Sequence, residues 1–206
     1  MKELDKIIED NETVFWEGKP NFWPFTLSGV LISLTVGLIF LIIGIYIFSS
    51  IFEIIDDKLT PFLISLPFLF VGIIFGIFIP CYRILLYRRT YYAITNKRVL
   101  FQTGIIGRDF EILDFDKISN AQVNVGIFDK LFSKSSGSIL LSSSGDYSTT
   151  VYSYLPIGRT LSNIPHPYEV FKFFKKVSYD VKTDIEFPNQ YRPRRNPGYK
   201  TAYKPK

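Results

Sequence analysis

His166 is the only histidine in the 206 residues, so a histidine metal site, a Ser-His-Asp triad or a Cys-His pair would have to be built on it. It stands between Pro165 and Pro167 at what reads as a helix start, where capping or surface exposure accounts for a polar ring. Ser135-Ser136-Gly137-Ser138 and Ser142-Ser143-Ser144-Gly145 are rich in hydroxyls, but no base accompanies them and such clusters are ordinary turn chemistry. Cys81 is the lone cysteine and has no partner for an internal disulfide. Asp109, Glu111, Asp114 and Asp116 could offer oxygen ligands to a hard cation. On strands, however, such charges face solvent and keep edges soluble, and no metal site is assigned. There is no P-loop, dinucleotide fingerprint, H-E-x-x-H or Cys-x-x-Cys pattern. The expectation is a chain that is not an enzyme and carries no cofactor.

Two other sets of residues have types and spacing that matter. Arg88, Arg89, Lys97, Arg98 and Arg108 form a basic cluster able to attract anionic lipid headgroups, at about 1 kcal/mol each near a membrane surface. The same residues would also serve topology alone. Gly72-Ile73-Ile74-Phe75-Gly76 is a G-x-x-x-G, which lets helix backbones approach closely. Gly72 and Gly76 could mark a dimer face, or could seat a neighbouring helix of the same chain with Gly37 and Gly44 opposite.

The elements that must position these residues begin with a long apolar segment. Hydrophobic residues are 47% of the chain, but they concentrate between Phe25 and Tyr82. From Phe25 to Phe52, and again from Leu59 to Tyr82, no side chain is ionisable. Each run exceeds the roughly 20 residues that a helix rising about 1.5 Å per residue needs to cross a bilayer. Pro61 and Pro80 lie near the ends of the second run, where helices start and stop. The six residues Glu53 to Lys58 between the runs are too few for anything but a hairpin connection, so the two spans are antiparallel. An acidic leader, Met1 to Asn21, precedes the first run, unlike a cleaved signal peptide. Without ionisable groups in either span, transport by these helices alone is not expected.

Orientation follows from the basic residues. Arg83, Arg88, Arg89, Lys97 and Arg98 follow the second span, whereas the hairpin connection offers only Lys58, which places both termini in the cytoplasm. Trp16, Trp23, Tyr82 and Tyr87 are positioned for headgroup depth.

Beyond the second span the texture becomes β. Thr90 to Thr95 and Arg98 to Thr103 read as a hairpin turning at Asn96-Lys97. Asp109 to Asp114 forms a third strand with Phe110 and Ile112 on one side. Ser138 to Ser142 and Tyr147 to Leu155 continue the pattern, with a helical turn expected between Gly126 and Ser133. Pro167 to Val177 reads as a helix, with Val170, Phe171, Phe174 and Val177 on one face. A single mainly antiparallel sheet capped by a C-terminal helix is the plan of a pleckstrin-homology-like barrel.

Tyr92-Ala93-Ile94-Thr95-Asn96-Lys97-Arg98-Val99-Leu100, then Gly104-Ile105-Ile106, Ile118 leading to Val123 and Val125, Gly126-Ile127-Phe128 and Asn163-Ile164-Pro165, occur in series. In order and spacing they resemble the membrane-flanked bacterial pleckstrin-homology domain family, over roughly residues 12 to 180. Trp16-Glu17-Gly18-Lys19-Pro20 is similar to the lead-in that precedes the helix pair in that family. The resemblance implies a pleckstrin-homology-like fold. It does not imply the phosphoinositide pocket of eukaryotic relatives.

The organisation expected is a cytoplasmic lead-in (1–24), a transmembrane hairpin (25–82), a cytosolic pleckstrin-homology-like domain (83–187) and a disordered basic tail (188–206). The tail carries Arg192, Arg194, Arg195, Lys200, Lys204 and Lys206 without an acidic residue, and could meet anionic lipid, RNA or protein. The functional expectation is a scaffold or interaction module in the cell membrane, with the bilayer and protein partners or further copies of itself as its contacts. Alternatives are a sensor of anionic lipids or an accessory subunit of a larger membrane complex. Nucleic acid is not the expected partner of the folded part.

Overall fold

The computed structural model describes residues 4–10, 12–54, 57, 59–105, 107, 109–133, 135–143 and 159–186, with side chains as far as Thr183. Arg108, the expected strand Tyr147–Leu155 and the basic tail lie outside the described residues. The chain divides into two compact units, Thr26–Tyr87 on one hand and Met1–Phe25 with Arg88–Lys206 on the other.

Thr26–Tyr87 is helical. The helix α1 (Phe22–Phe52) is followed by α2 (Leu59–Ile73), a π-helical turn (Ile74–Phe78) and α3 (Ile79–Arg89). The last three form one apolar rod, Leu59–Arg89, of 31 residues, the same length as α1. Asp57 starts the rod by accepting hydrogen bonds from the Leu59 N–H (3.0 Å) and the Thr60 hydroxyl (2.8 Å).

The rod does not stop at Tyr82 as expected, and Pro80 lies inside it. Proline lacks an N–H and crowds the carbonyl four residues back, here that of Gly76. The π turn containing Gly76 widens the helix there and lets it continue. The extension brings Arg83 inside the helix, where its guanidinium covers the face of Gly29, at 2.6 Å from where a Cβ would stand.

Gly37 faces the backbone of Gly76, and a Cβ on it would lie 2.7 Å from the Gly76 nitrogen. A Cβ on Gly72 would meet Leu41, and one on Gly44 would meet Leu69. Of the two readings of G-x-x-x-G, these contacts are those of a motif that seats the first helix of the same chain. Phe40 stacks on Phe68 at 6.3 Å between the same helices.

The other unit is β-rich. Its strands are β1 (Val14–Gly18), β2 (Tyr91–Thr95), β3 (Arg98–Thr103), β4 (Asp109–Asp114), β5 (Ile118–Asn124), β6 (Ser136–Ser143) and β7 (Thr160–Pro165). They form two antiparallel sheets, β1-β2-β3-β4 and β5-β6-β7, in place of the single sheet expected. A 3-10 turn, Phe115–Lys117, separates β4 from β5 and buries Phe115. The helix α4 (Ile127–Phe132) precedes β6, and α5 (Pro167–Glu186) closes the unit, running beyond the expected Val177.

The core lies between the sheets and α5. Tyr92, Ile94, Val99 and Phe101 enter it from one sheet, Ile139, Leu141, Leu161 and Ile164 from the other, and Val170, Phe174, Val177 and Val181 from the helix. Phe174 tilts against Phe115 at 5.8 Å.

A second cluster explains why β2 and β3 read as continuous apolar runs. Ala93 and Leu100 face away from the main core and are covered by Leu4, Ile8 and Val14 of the lead-in, with Phe110 beside them. Strands buried on both faces lose the alternation of a half-exposed strand. Phe110 and Ile112 alternate with Leu113 along β4; Ile112 is 40% exposed, whereas Leu113 joins the main core.

Candidate functional site

The basic cluster divides into two groups. Arg88 and Arg89 occupy the last turn of α3, where cations oppose the negative end of the helix dipole, and both side chains are exposed. Neither guanidinium forms an ion pair among the described residues. The buried Thr90 alone separates this turn from β2, and the amide of Gln102 on β3 donates to the Arg89 carbonyl at 3.5 Å.

Lys97 and Arg98 are placed differently. They sit at the β2–β3 turn, and the lead-in folds back on them. Arg98 Nη2 reaches Glu12 Oε2 at 2.8 Å and Glu9 Oε1 at 3.2 Å, and its Nε donates to Glu12 Oε1 at 3.0 Å. Lys97 Nζ pairs with Glu9 at 2.7 Å. Thr95 donates its hydroxyl to Glu12 at 2.6 Å and accepts from the Lys97 and Arg98 amides. The Glu12 side chain is fully buried, while that of Arg98 is 14% exposed.

Burial raises the pKa of Glu12, but the hydrogen bonds from Arg98 and Thr95 and the Glu9 amide outweigh it and hold the carboxyl below its ordinary value. The hydrogen bond to Glu12 raises the pKa of Arg98. Thr95-Asn96-Lys97-Arg98, the most specific stretch of the sequence pattern, is therefore a clamp that captures the lead-in. Asn96 completes it, its side-chain oxygen accepting from the Thr13 amide at 3.0 Å and its own amide donating to the Thr13 carbonyl at 3.0 Å.

A second polar hub joins two other motif segments. Asp129 of α4 is 4% exposed and accepts from the Gly126 amide (2.9 Å), the Ser136 hydroxyl (2.6 Å) and the Asn163 side-chain amide (2.8 Å). Asn163 holds a left-handed backbone (φ 49°), and its carbonyl accepts from the Asn21 amide at 2.7 Å. The Asn21 side chain donates to Ser133 at 3.3 Å. The Gly-Ile-Phe and Asn-Ile-Pro stretches are thereby tied to the residue that precedes α1.

Several of the residues tested for chemistry have structural partners. His166, with φ 50°, starts α5 through its backbone, its carbonyl accepting from the Glu169 and Val170 amides. Its exposed ring borders a cavity of about 210 Å3 with Ser135, Ser136 and Glu169. Glu111 pairs with Arg159 and Asp114 with Lys117. Tyr92 is pushed up to about 12 by burial, and its oxygen accepts from the Ser162 amide at 3.2 Å. A shallow recess of about 270 Å3 is lined by Glu17, Gly18, Lys19, Tyr91 and Tyr92, with the Lys19 ammonium 5.0 Å from the Tyr91 ring centre.

The family model described as Bacterial PH domain matches residues 22–161. The chain belongs to this family. The match runs from the first residue of α1 into β7, so the helix pair and strands β2 to β6 are covered together, while β1 and α5 lie outside it. No curated protein and no solved structure matches the chain.

Sequence reasoning missed three residues. Glu12 and Asp129 looked like ordinary acidic residues, and only their burial distinguishes them. Trp16, expected at headgroup depth, belongs to the domain core at 7% exposure, its indole lying over Gly18 so closely that any Cβ there would collide with it. The aromatic alternation of Val14 to Gly18 was the available sign of a strand.

Proposed function

We propose that the chain is a membrane-anchored, non-catalytic interaction module that presents its PH-like domain at the cytoplasmic face of the cell membrane. The observation that carries this reading is the junction at Thr90. A 31-residue apolar rod ends at Arg89, and the central strand pair of the domain begins at Tyr91. A domain attached so tightly to a span cannot leave the membrane surface.

Two features support insertion. The most apolar stretches of the two helices are only 17% and 11% buried, and side chains such as Ile42, Ile45 and Phe70 are more than half exposed. Lipid is the solvent that suits such a surface, whereas a core helix of a water-soluble protein is mostly covered. Arg88 and Arg89 beside the domain, against Lys58 in the connection, favour cytoplasmic termini. Protein partners or further copies of the chain are the proposed ligands of the module.

The test is crosslinking in native membranes followed by purification of the full chain in mild detergent. Reproducible capture of one partner, or of a second copy, supports the reading, and a strictly monomeric chain without a partner removes it.

A second reading is favoured by Arg88 and Arg89, exposed and without an ion pair among the described residues: contact with anionic lipid headgroups, in which Lys97 and Arg98 would take less part because Glu9 and Glu12 engage them. Native mass spectrometry of the full chain should then show bound anionic lipid, reduced in Arg88→Gln/Arg89→Gln. Equal lipid retention by both proteins would rule it out.

A further inference from the structure

The short helix α4 keeps its one carboxylate inside and its apolar side chains outside. At about 100° per residue, Ile127, Leu131, Phe128 and Phe132 fall on one continuous arc, with Asp129 and Lys130 outside it beyond its two edges. Asp129 is held inward by its three donors. The arc therefore faces outward, with Ile127 81%, Leu131 70% and Phe132 42% exposed, and Phe128 and Phe132 stacked at 6.3 Å.

What covers this face follows from its attachment and its charge. Ser133, directly after α4, accepts a hydrogen bond from Asn21, the residue directly before α1. The apolar tip is thus tied to the point where the chain begins its long apolar helix. Trp23, two residues beyond Asn21, is 58% exposed. Lys130 is exposed at the rim of the arc, and Lys134 follows it in the sequence. Bulky apolar side chains flanked by lysine are the composition of segments that lie in a membrane interface.

We infer that α4 is a second membrane contact, seating Ile127, Leu131 and Phe132 at the boundary between headgroups and acyl chains of an anionic bilayer, beside the start of α1. Insertion of this kind reaches about 5–10 Å below the surface. It adds a point of attachment that the helical hairpin cannot supply, and so restrains rotation of the β-rich unit about its tether. The inference rests on the proposed spanning of the two long helices, and its test separates the two ideas.

The full chain, in a Cys81→Ser background, is labelled with an environment-sensitive fluorophore at Leu131→Cys, at Ile42→Cys on α1 or at Tyr179→Cys on α5. Each protein is reconstituted into phosphatidylcholine–phosphatidylglycerol vesicles with and without spin-labelled acyl chains. The expected result is a blue-shifted emission and loss of fluorescence to the spin label at positions 42 and 131, and neither at 179. Ile127→Glu, at a position 81% exposed and therefore tolerant of a charge, should abolish quenching at 131 without changing it at 42.

Quenching at 42 alone overturns the contact while leaving the span intact. Absence of quenching at both removes the span and the contact together. A blue shift at 131 without lipid quenching assigns the face to a protein neighbour, and equal quenching at 179 reduces it to general adhesion. Either result overturns the inference.

Discussion

The helical hairpin and the β-rich unit use the same apolar residue types in opposite ways. Phe70 of α2 is 62% exposed, whereas Phe174 of α5 is 1% exposed and lies against Phe115 and Phe171. In the hairpin the helices meet largely at glycines, with Gly37 against Gly76, and many large side chains, Ile42 and Phe70 among them, are exposed. In the β-rich unit large side chains meet each other, and buried carboxylates are held either by an ion pair, as Glu12 by Arg98, or by several hydrogen-bond donors, as Asp129. On the proposed insertion of the hairpin, the contrast is one of solvent. Water drives apolar groups together, while lipid is as apolar as leucine and leaves close backbone approach as the main means of association.

The sharpest way to break this comparison is to truncate one phenylalanine in each unit. Phe174→Ala should destabilise the β-rich unit by about 3–5 kcal/mol, read as a shifted thermal melt of the full chain in detergent. Phe70→Ala should change the stability of the hairpin by less than about 1 kcal/mol. Similar losses at both sites would mean that Phe70 is covered by protein.

Next in size is the clamp. Glu12→Ala leaves Arg98 without its principal partner and should cost about 3 kcal/mol. Replacing both residues with apolar ones, Glu12→Leu/Arg98→Met, should recover most of that loss, because the uncompensated charge is gone. The clamp also fixes a pH dependence. The folded pKa of Glu12 lies below its ordinary value of 4.5, so its contribution is present above that pH and is lost as pH falls through the folded value. Urea titrations of the full chain should therefore show stability declining below about pH 4.5, with a shallower decline in Glu12→Gln.

Glycine substitutions sharpen the other side. A side chain at Gly37 would meet backbone that cannot move aside, and Gly37→Val should cost about 1–3 kcal/mol in detergent unfolding of the hairpin. A Cβ at Gly76 finds nothing within 4 Å, so Gly76→Ala should stay within about 0.5 kcal/mol of the parent. If Gly76→Ala instead disrupts a dimer, the outer face of the motif serves a second copy.

The most local patterns were legible in the sequence. The two apolar runs, the turn at Asn96-Lys97, the short helix after Gly126 and the start of α5 at Pro167 all appear where composition and period place them. Those signals live within a few residues of one another, and solvent preference or turn chemistry alone decides them. The helix stop expected near Pro80 was misread because a proline usually ends a helix, and only a π turn in the preceding residues lets this one continue.

The candidate site was less legible. Lys97 and Arg98 looked like free headgroup ligands because the acids that engage them come from the lead-in, more than 80 positions away. Trp16 looked like an interfacial aromatic for the same reason, since its core is assembled from strands far along the chain.

The sequence by itself determined that two stretches are long and apolar enough to cross a membrane and that much of the remainder forms short strands with a closing helix. Its motif series identified the family. Which charges are free and which are paired, and which aromatic is core and which is exposed, was decided only by tertiary structure. Burial and pairing depend on residues that meet in space, and no local pattern encodes the distance from Glu12 to Arg98.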